Sequence, residues 1–287
     1  MSLPEPTSTI EQLRPDWGPP YLLYLGDAPD LLSIKTARGL AHWRPEWCVA
    51  QYAGPNCKAR LDLPSMSIQE ARAAGVDTMV LGVANAGGVM SADIRRDVIA
   101  ALEAGLNVAS GLHQRLGSDP AIAAAAARNR RVLFDARYFG RDIPVGNGKR
   151  RAGKRLLTVR TDCSVGKMYT TLAIERELRA RGVKADFRAT GQTGILITGS
   201  GVPIDALVAD FISGGAEWVS PARMDGGWDL IEGQGSLFHP SYAGVSLGLL
   251  HGSQPDAIVL CHEPKRPHMR GLPHYPLPDL KLRSEER

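Results

Sequence analysis

No apolar run in this chain reaches the ~18 residues that a bilayer-crossing helix needs, so no membrane span is expected. Cysteine is scarce: Cys48, Cys57, Cys163 and Cys261 are its only four, and no two have CxxC spacing. That scarcity argues against a zinc cluster or a disulfide framework. A reducing cytoplasm is then the simplest setting. Aromatic residues are only 6% and are not interleaved with basic ones, which counts against a nucleic-acid platform. Charge of either sign is not in excess: the net is +4, and the basic residues are dispersed. Neither nucleic acid nor membrane is an expected partner. The first 17 residues are polar and contain proline, without the basic start and apolar core of a secretion signal. The only short biased tract is the alanine run at 123–127, which reads as helix.

What is present is a globular composition, 44% hydrophobic and 22% charged, over 287 residues. That length fits two domains or one large one. Apolar runs at 21–25, 48–52, 78–83, 107–110 and 131–134 alternate with helix-length segments. Ser67-Ile68-Gln69-Glu70 has the form of a capping box. Asp119-Pro120 places a capping side chain before a proline at the first helical position. Residues 93–104 carry Ile94, Val98, Ala101 and Leu102 on one helical face. The small-residue loop at 84–88 follows the third strand. Strands separated by helices imply βαβ units with right-handed crossovers and a mainly parallel sheet. The expected class is therefore α/β in two domains. The first, 1–145, reads as Rossmann-like and the second, 150–287, as P-loop NTPase-like. A Gly/Pro/Lys/Arg-rich linker at 141–154 joins them. In the second half, helices are expected at 167–181 and 204–212, and strands at 185–188, 218–220, 229–232 and 257–261. After Pro264 the chain reads as irregular structure able to fold over a site.

The segment Leu156-Leu157-Thr158-Val159-Arg160-Thr161-Asp162-Cys163-Ser164-Val165-Gly166-Lys167-Met168-Tyr169 reads as strand, tight loop and helix. Loop amides, a helix N-terminus and a lysine together hold a phosphate chain. The pattern departs from G-x-x-x-x-G-K-[ST]. Arg160 stands where a first glycine is expected, the loop is one residue longer, and Met168 follows the lysine. Residues Arg160 to Tyr169 are the candidate cofactor contacts: Arg160, Thr161, Asp162, Cys163, Ser164, Val165, Gly166, Lys167, Met168 and Tyr169. Cys163 sits where a helix N-terminus lowers a thiol pKa. An acyl-cysteine is one reading, and a small residue packed in a tight loop is the simpler one.

A second strand ends in Glu232 and runs into Gly233-Gln234-Gly235-Ser236, where a carboxylate can orient a metal, a water or a substrate group. His239 and His262 follow at strand ends and are candidate bases, because imidazole titrates near neutrality. Gln192 and Thr193, in a glycine-dense loop, are candidate substrate contacts, with Gln234, Ser236 and Glu263. A helix at 204–212 would turn Asp205 and Asp210 to different faces. Asp210, beside Phe211 and Ile212, is the better site candidate. His113 follows a strand of the first half.

These residues carry a family resemblance covering both halves of the chain. Thr161-Asp162-Cys163-Ser164-Val165-Gly166-Lys167, Thr190-Gly191-Gln192-Thr193-Gly194, Glu232-Gly233-Gln234-Gly235-Ser236 with His239-Pro240, and His251-Gly252 leading to His262-Glu263 resemble the P-loop family of the D-glutamate N-acetyltransferases. The phosphate loop and Glu232 turn are also similar to dethiobiotin synthetase. The first resemblance implies acetyl transfer from acetyl-CoA to the amino group of a D-amino acid, D-glutamate before others, in D-amino acid catabolism. On that reading Lys167 and the loop amides bind the CoA phosphates. Glu232 or His239 takes the ammonium proton, and backbone donors near Gly233 to Gly235 face the oxyanion. Arg160, Arg266 or Arg270 pairs with substrate carboxylates. No metal is then expected. The second resemblance implies an ATP- and Mg²⁺-dependent ligase or kinase, with Asp162 and Glu232 sharing the metal. A non-catalytic nucleotide- or CoA-binding regulator is a third possibility. A homo-oligomer, dimer or higher, is expected. The resemblance also implies that Arg287 falls somewhat short of the family's usual extent.

Overall fold

The computed structural model describes residues 17–83 and 90–277. The loop at 84–88, the segment 1–16 and the tail from 278 onward lie outside the described residues. The chain forms two compact units, one holding residues 17–140 and Gln192–Pro203, the other Arg141–Gly191 and residues 204–277.

In the first unit, β1 (Tyr21–Gly26) is buried at every position. A strand buried on both faces needs a continuous apolar run rather than alternation, and Tyr21-Leu22-Leu23-Tyr24-Leu25 supplies it. With β2 (Cys48–Ala53), β3 (Thr78–Leu81), β4 (Asn107–Ser110) and β5 (Leu133–Asp135) it makes a parallel sheet ordered β2-β1-β3-β4-β5. Four helices connect these strands: α1 (Lys35–Trp43), α2 (Ile68–Ala73), α3 (Ala92–Glu103) and α4 (Pro120–Asn129). The capping box at Ser67 and Glu70 is formed in both directions. The Asp119 side chain accepts from the Ala121 and Ile122 amides ahead of Pro120. A fifth helix, α6 (Gln192–Thr198), comes from the second half of the sequence. Thr193 Oγ1 lies 3.2 Å from Thr36 Oγ1, and the Arg44 guanidinium donates to the Ile197 carbonyl at 3.1 Å.

The second unit is built on β6 (Lys154–Arg160), with β8 (Trp228–Ile231) on one side, β9 (Ala257–Cys261) on the other and β7 (Ala185–Arg188) beyond β8. All pairs are parallel. Leu156, Ala185 and Leu230 form its core with Ile174, Leu178, Trp228, Ala257 and Val259 packed around them. Helix α5 (Lys167–Ala180) follows the phosphate loop, and its Glu175–Arg179 and Glu177–Arg181 pairs close at 2.9 and 2.7 Å.

Three expectations are corrected. Residues 218–220 are not a strand, since 218 and 219 end helix α7 (Ile212–Val219). The helix expected at 204–212 is two single 3₁₀ turns, Ile204–Ala206 and Ala209–Phe211. The tail is partly regular, a hairpin of β10 (His268–Met269) and β11 (Leu272–Pro276). The linker also packs down: the Asn147 and Gly148 amides donate to Glu217, and Arg151 donates to the Ser220 and Gly252 carbonyls.

Helix α8 (Ala243–Ser253) lies against α7 at glycine-mediated distance. A Cβ added to Gly252 would come within 2.3 Å of the Ser213 carbonyl oxygen and 2.7 Å of Ala216 Cβ. Backbone and a packed methyl cannot yield as a flexible side chain can. Gly252→Val is therefore expected to lower stability by about 1–3 kcal/mol through overpacking. An unchanged urea midpoint would show that the helices separate freely.

Candidate active site at the phosphate loop

Strand β6 delivers the chain to Arg160 at the carboxyl edge of the sheet, and residues 161–166 turn into α5. Gly166 holds φ +93 at the cap position, a left-handed conformation that favours glycine. No side chain caps the first amides of α5. Uncapped amides at a helix start, carrying the positive end of the helix dipole, suit an anion.

Lys167 is 5% exposed, and its Nζ donates to the Gly235 carbonyl at 2.8 Å. The Arg160 Nε donates to the same oxygen. Burial first, and then the neighbouring Arg160, push the Lys167 proton affinity well below that of an ordinary lysine. Burial likewise lowers that of Arg160.

Glu232, just past β8, is buried. Its Oε2 accepts from the Thr190 and Gly191 amides at 3.1 and 3.2 Å, and its carbonyl accepts from Thr190 Oγ1. Burial raises its pKa to about 7, with the two amides and Lys167 pulling the other way and Asp205 adding to the rise. Gly233 donates to Thr158 Oγ1 at 3.1 Å, and a Cβ there would sit 1.7 Å from the Thr158 carbonyl oxygen. Only glycine lets the Glu232 turn lie this close to β6. Thr158 Oγ1 also meets Thr171 Oγ1 at 2.9 Å, which ties the turn to α5.

On the other side of the loop, buried Asp162 pairs with Arg266 and accepts from the Arg270 amide at 3.0 Å. Burial works to raise the Asp162 pKa, but Arg266 and the Cys163 and Arg270 amides outweigh it and hold it below the usual carboxylate value. Arg266 also donates to the Cys163 carbonyl at 2.6 Å, and the Arg270 guanidinium reaches Ser164 Oγ. The hairpin is thereby fastened across the phosphate loop. Four cationic side chains, Arg160, Lys167, Arg266 and Arg270, face two acids, one of which titrates near neutrality. The balance favours an anionic ligand.

Residues 144–285 match the family model described as a domain of unknown function (DUF1611_C), P-loop domain, and residues 49–138 match that for a Rossmann-like domain (DUF1611_N). The chain belongs to the DUF1611 family. It is 55% identical over 262 residues to a D-glutamate N-acetyltransferase of Tritonibacter scottomollicae, covering 91% of this chain and 79% of that protein. A second D-glutamate N-acetyltransferase, from Pseudoalteromonas sp, is 51% identical over 267 residues, covering 93% and 80%. The crystal structure of a DUF1611 protein from Anabaena variabilis superposes with a TM-score of 0.82 at 31% identity, covering 91% of this chain and 79% of that one.

Within this DUF1611 site the sequence-derived candidates sort unevenly. Lys167, Arg160, Glu232, Gly233 and Gly235 converge on one carbonyl and one strand edge. His239 is near, but both its ring nitrogens are engaged. Nδ1 accepts from the Ser241 amide at 3.2 Å, so Nε2 carries the proton and donates to the Arg270 carbonyl at 3.2 Å. That leaves no lone pair for a base. Ser236 Oγ accepts from the His239 amide, and Gln234 reaches Thr190 Oγ1 at 3.4 Å while its carbonyl accepts from Ser246. His262 Nδ1 meets Thr161 Oγ1 at 3.0 Å, and Glu263 accepts from the Lys265 amide. Gln192 and Thr193 open α6 and fold with the first unit, so only Thr190 and Gly191 of that loop hold Glu232. Asp210 is exposed in its 3₁₀ turn and does not border the core, while Asp205 is the carboxylate that acts on Glu232.

Cys163 is not activated. Burial, first among its influences, raises its thiol pKa despite Arg160, Lys167 and Arg270 nearby. Asp162, Cys163 and His239 offer ligand atoms within 4.8 Å of one another. Arg266 and the Arg270 amide hold Asp162 through Oδ2, while its buried Oδ1 has no hydrogen-bond partner among the described residues. His239 is committed to backbone through both ring nitrogens. Nothing at sequence level marked the Thr158–Thr171 pair beyond a hydroxyl inside an otherwise apolar strand. Among the described residues no helix is long and apolar enough to cross a membrane.

Proposed function

We propose that this DUF1611 chain is a D-glutamate N-acetyltransferase that draws its acetyl group from acetyl-CoA. Identity of 51% and 55% to proteins of that activity, over more than nine-tenths of the chain, supports the reaction class and acceptor. The observation that carries the mechanism is the buried Glu232, its pKa raised to about 7 beside the phosphate-loop lysine. An amine attacks a thioester only after losing its ammonium proton, and a carboxylate titrating near neutrality can take it. The amides of Thr190 and Gly191 hold Glu232 by one oxygen, which leaves Oε1 for the substrate.

Acetyl-CoA supplies the activated acetyl group and several phosphates. The uncapped start of α5 and the cations Lys167, Arg160 and Arg270 suit those phosphates in sign and donor type. Arg266 is spent on Asp162, so it positions the loop. Arg270 has donors left beyond Ser164 and is assigned to an oxyanion of the bound reactants. The Gly233 amide is already bonded to Thr158, so oxyanion stabilisation falls to other donors of the turn. The reading includes a cytoplasmic setting, consistent with four free thiols. It also includes a homo-oligomer, consistent with Ile258 and Leu260 exposed at 53% and 44% on edge strand β9.

Calorimetric titration tests the donor. Wild-type protein is expected to bind acetyl-CoA saturably, and Lys167→Ala to bind it about 10- to 100-fold more weakly, the worth of one charge-assisted hydrogen bond. Binding of ATP·Mg²⁺ with none of acetyl-CoA would replace this reading with the ligase or kinase.

A further inference from the structure

The proposed reaction leaves the chemistry of the first unit unused. In a doubly wound parallel sheet ordered β2-β1-β3-β4-β5, ligands bind outside the carboxyl ends of the strands where the winding reverses, between β1 and β3. A cavity of about 500 Å³ opens at that edge, within the range of small-molecule sites. Tyr24, Asp27 and Tyr52 line it from the ends of β1 and β2, and Asp93, Arg96 and Asp97 from the first turns of α3. We infer that this cavity is a separate ligand site, for a small organic ammonium compound.

Charge decides the class. Three carboxylates face one guanidinium, and that guanidinium is already bonded to Asp93 at 2.5 Å and to Asp97 at 3.0 Å. Among the described lining residues no cation is left over to receive a phosphate or a dicarboxylate, so acetyl-CoA and D-glutamate are both poor occupants. A cation gains from the carboxylates and also from the half-buried Tyr52 ring, which stacks on the buried Tyr24 at 5.6 Å. The floor is built rather than incidental. Asp97 is 7% exposed, and Tyr24, 1% exposed, donates its hydroxyl to it at 3.0 Å. A buried carboxylate–phenol pair at a cavity floor costs desolvation that an apolar pair would avoid. Burial first, and then the Asp97 charge, raise the Tyr24 pKa, so the phenol keeps its proton and remains the hydrogen-bond donor of the pair. Perturbed titratable groups gathered in a cleft mark sites more often than surfaces.

The test is calorimetric titration of the full chain with agmatine and putrescine, with adenosine as a neutral comparator. Both amines are expected to bind saturably, more weakly as salt rises. Asp93→Asn is expected to weaken them roughly three- to tenfold. Asp97→Asn and Tyr52→Ala are expected to act in the same direction. Asp93 is exposed, so its variant keeps the test open if the buried Asp97 variant does not fold. Acetyl-CoA binding is expected to be unchanged in Asp93→Asn. The site is overturned if neither amine binds at millimolar concentration, if Asp93→Asn leaves amine affinity intact, or if adenosine binds in preference to both. Loss of acetyl-CoA binding in Asp93→Asn would overturn its separateness.

Discussion

Glu232→Gln is expected to lower kcat for acetyl transfer by about 10²- to 10⁴-fold, the range by which a positioned general base accelerates proton transfer. The amide keeps the shape and still accepts from Thr190 and Gly191, so the loss is chemical rather than architectural. The pH dependence supplies a second readout. The wild-type rate is expected to rise as pH passes through about 7, where the buried carboxyl loses its proton, and the residual rate of the variant to lack that rise. Stability moves the opposite way. The folded-state pKa lies above the ordinary 4.5, so the native chain binds the extra proton between about 4.5 and 7. Stability is therefore fully present below that window and falls across it, by about 3 kcal/mol for a shift of this size. The variant is expected to flatten that fall in a thermal-melt series against pH. Turnover equal to wild type would remove Glu232 from the role of base.

Asp229→Ala is expected to cost about 3–5 kcal/mol of stability, the penalty for breaking one side of a buried ion pair. Asp229 is 0% exposed on β8 and holds Arg188 at 2.8 Å and Arg223 at 3.0 Å. Arg223 keeps Asp225 and Asp186 at 2.7 and 2.9 Å, whereas among the described residues Arg188 retains only Asp186 at 4.0 Å. Arg188, 13% exposed at the side chain, thus becomes the stranded charge. Because Asp229 stands in the strand that runs into Glu232, loss of activity should accompany the loss of structure. Chemical denaturation with coincident activity measurements checks both, and a midpoint within error of wild type would show the pair to be dispensable.

Residues whose meaning is local were legible in the sequence. The apolar runs of β1 and β6 read as buried strands from their own length and composition, and the Ser67 box and Asp119-Pro120 start need nothing beyond their own turn. Glu232 was legible because a carboxylate ending an apolar strand before two glycines is chemically conspicuous. Helix α8 was not, because Ala243-Gly244-Val245-Ser246-Leu247-Gly248-Leu249-Leu250 has no polar face to set a period, and Gly248 and Gly252 serve contact with α7. Trp218 and Val219 favour strands intrinsically but were overridden by the packing of α7. The roles of His239, Asp205 and Gln192 were hidden for another reason. Each depends on a partner distant in sequence or, for Gln192, on the unit with which it folds.

The placement of α6 has a consequence for how this protein is made. Gly194, Ile195, Leu196 and Ile197 are buried in the first unit, yet they are translated after the phosphate loop of the second. The amino-terminal unit therefore cannot finish folding when its own strands have left the ribosome. It waits, with the surface of α1 that receives α6 still uncovered, until residue 203 has emerged. Cutting the gene in the linker would not yield two self-sufficient pieces, because the upstream fragment lacks a helix and the downstream fragment carries it without a home.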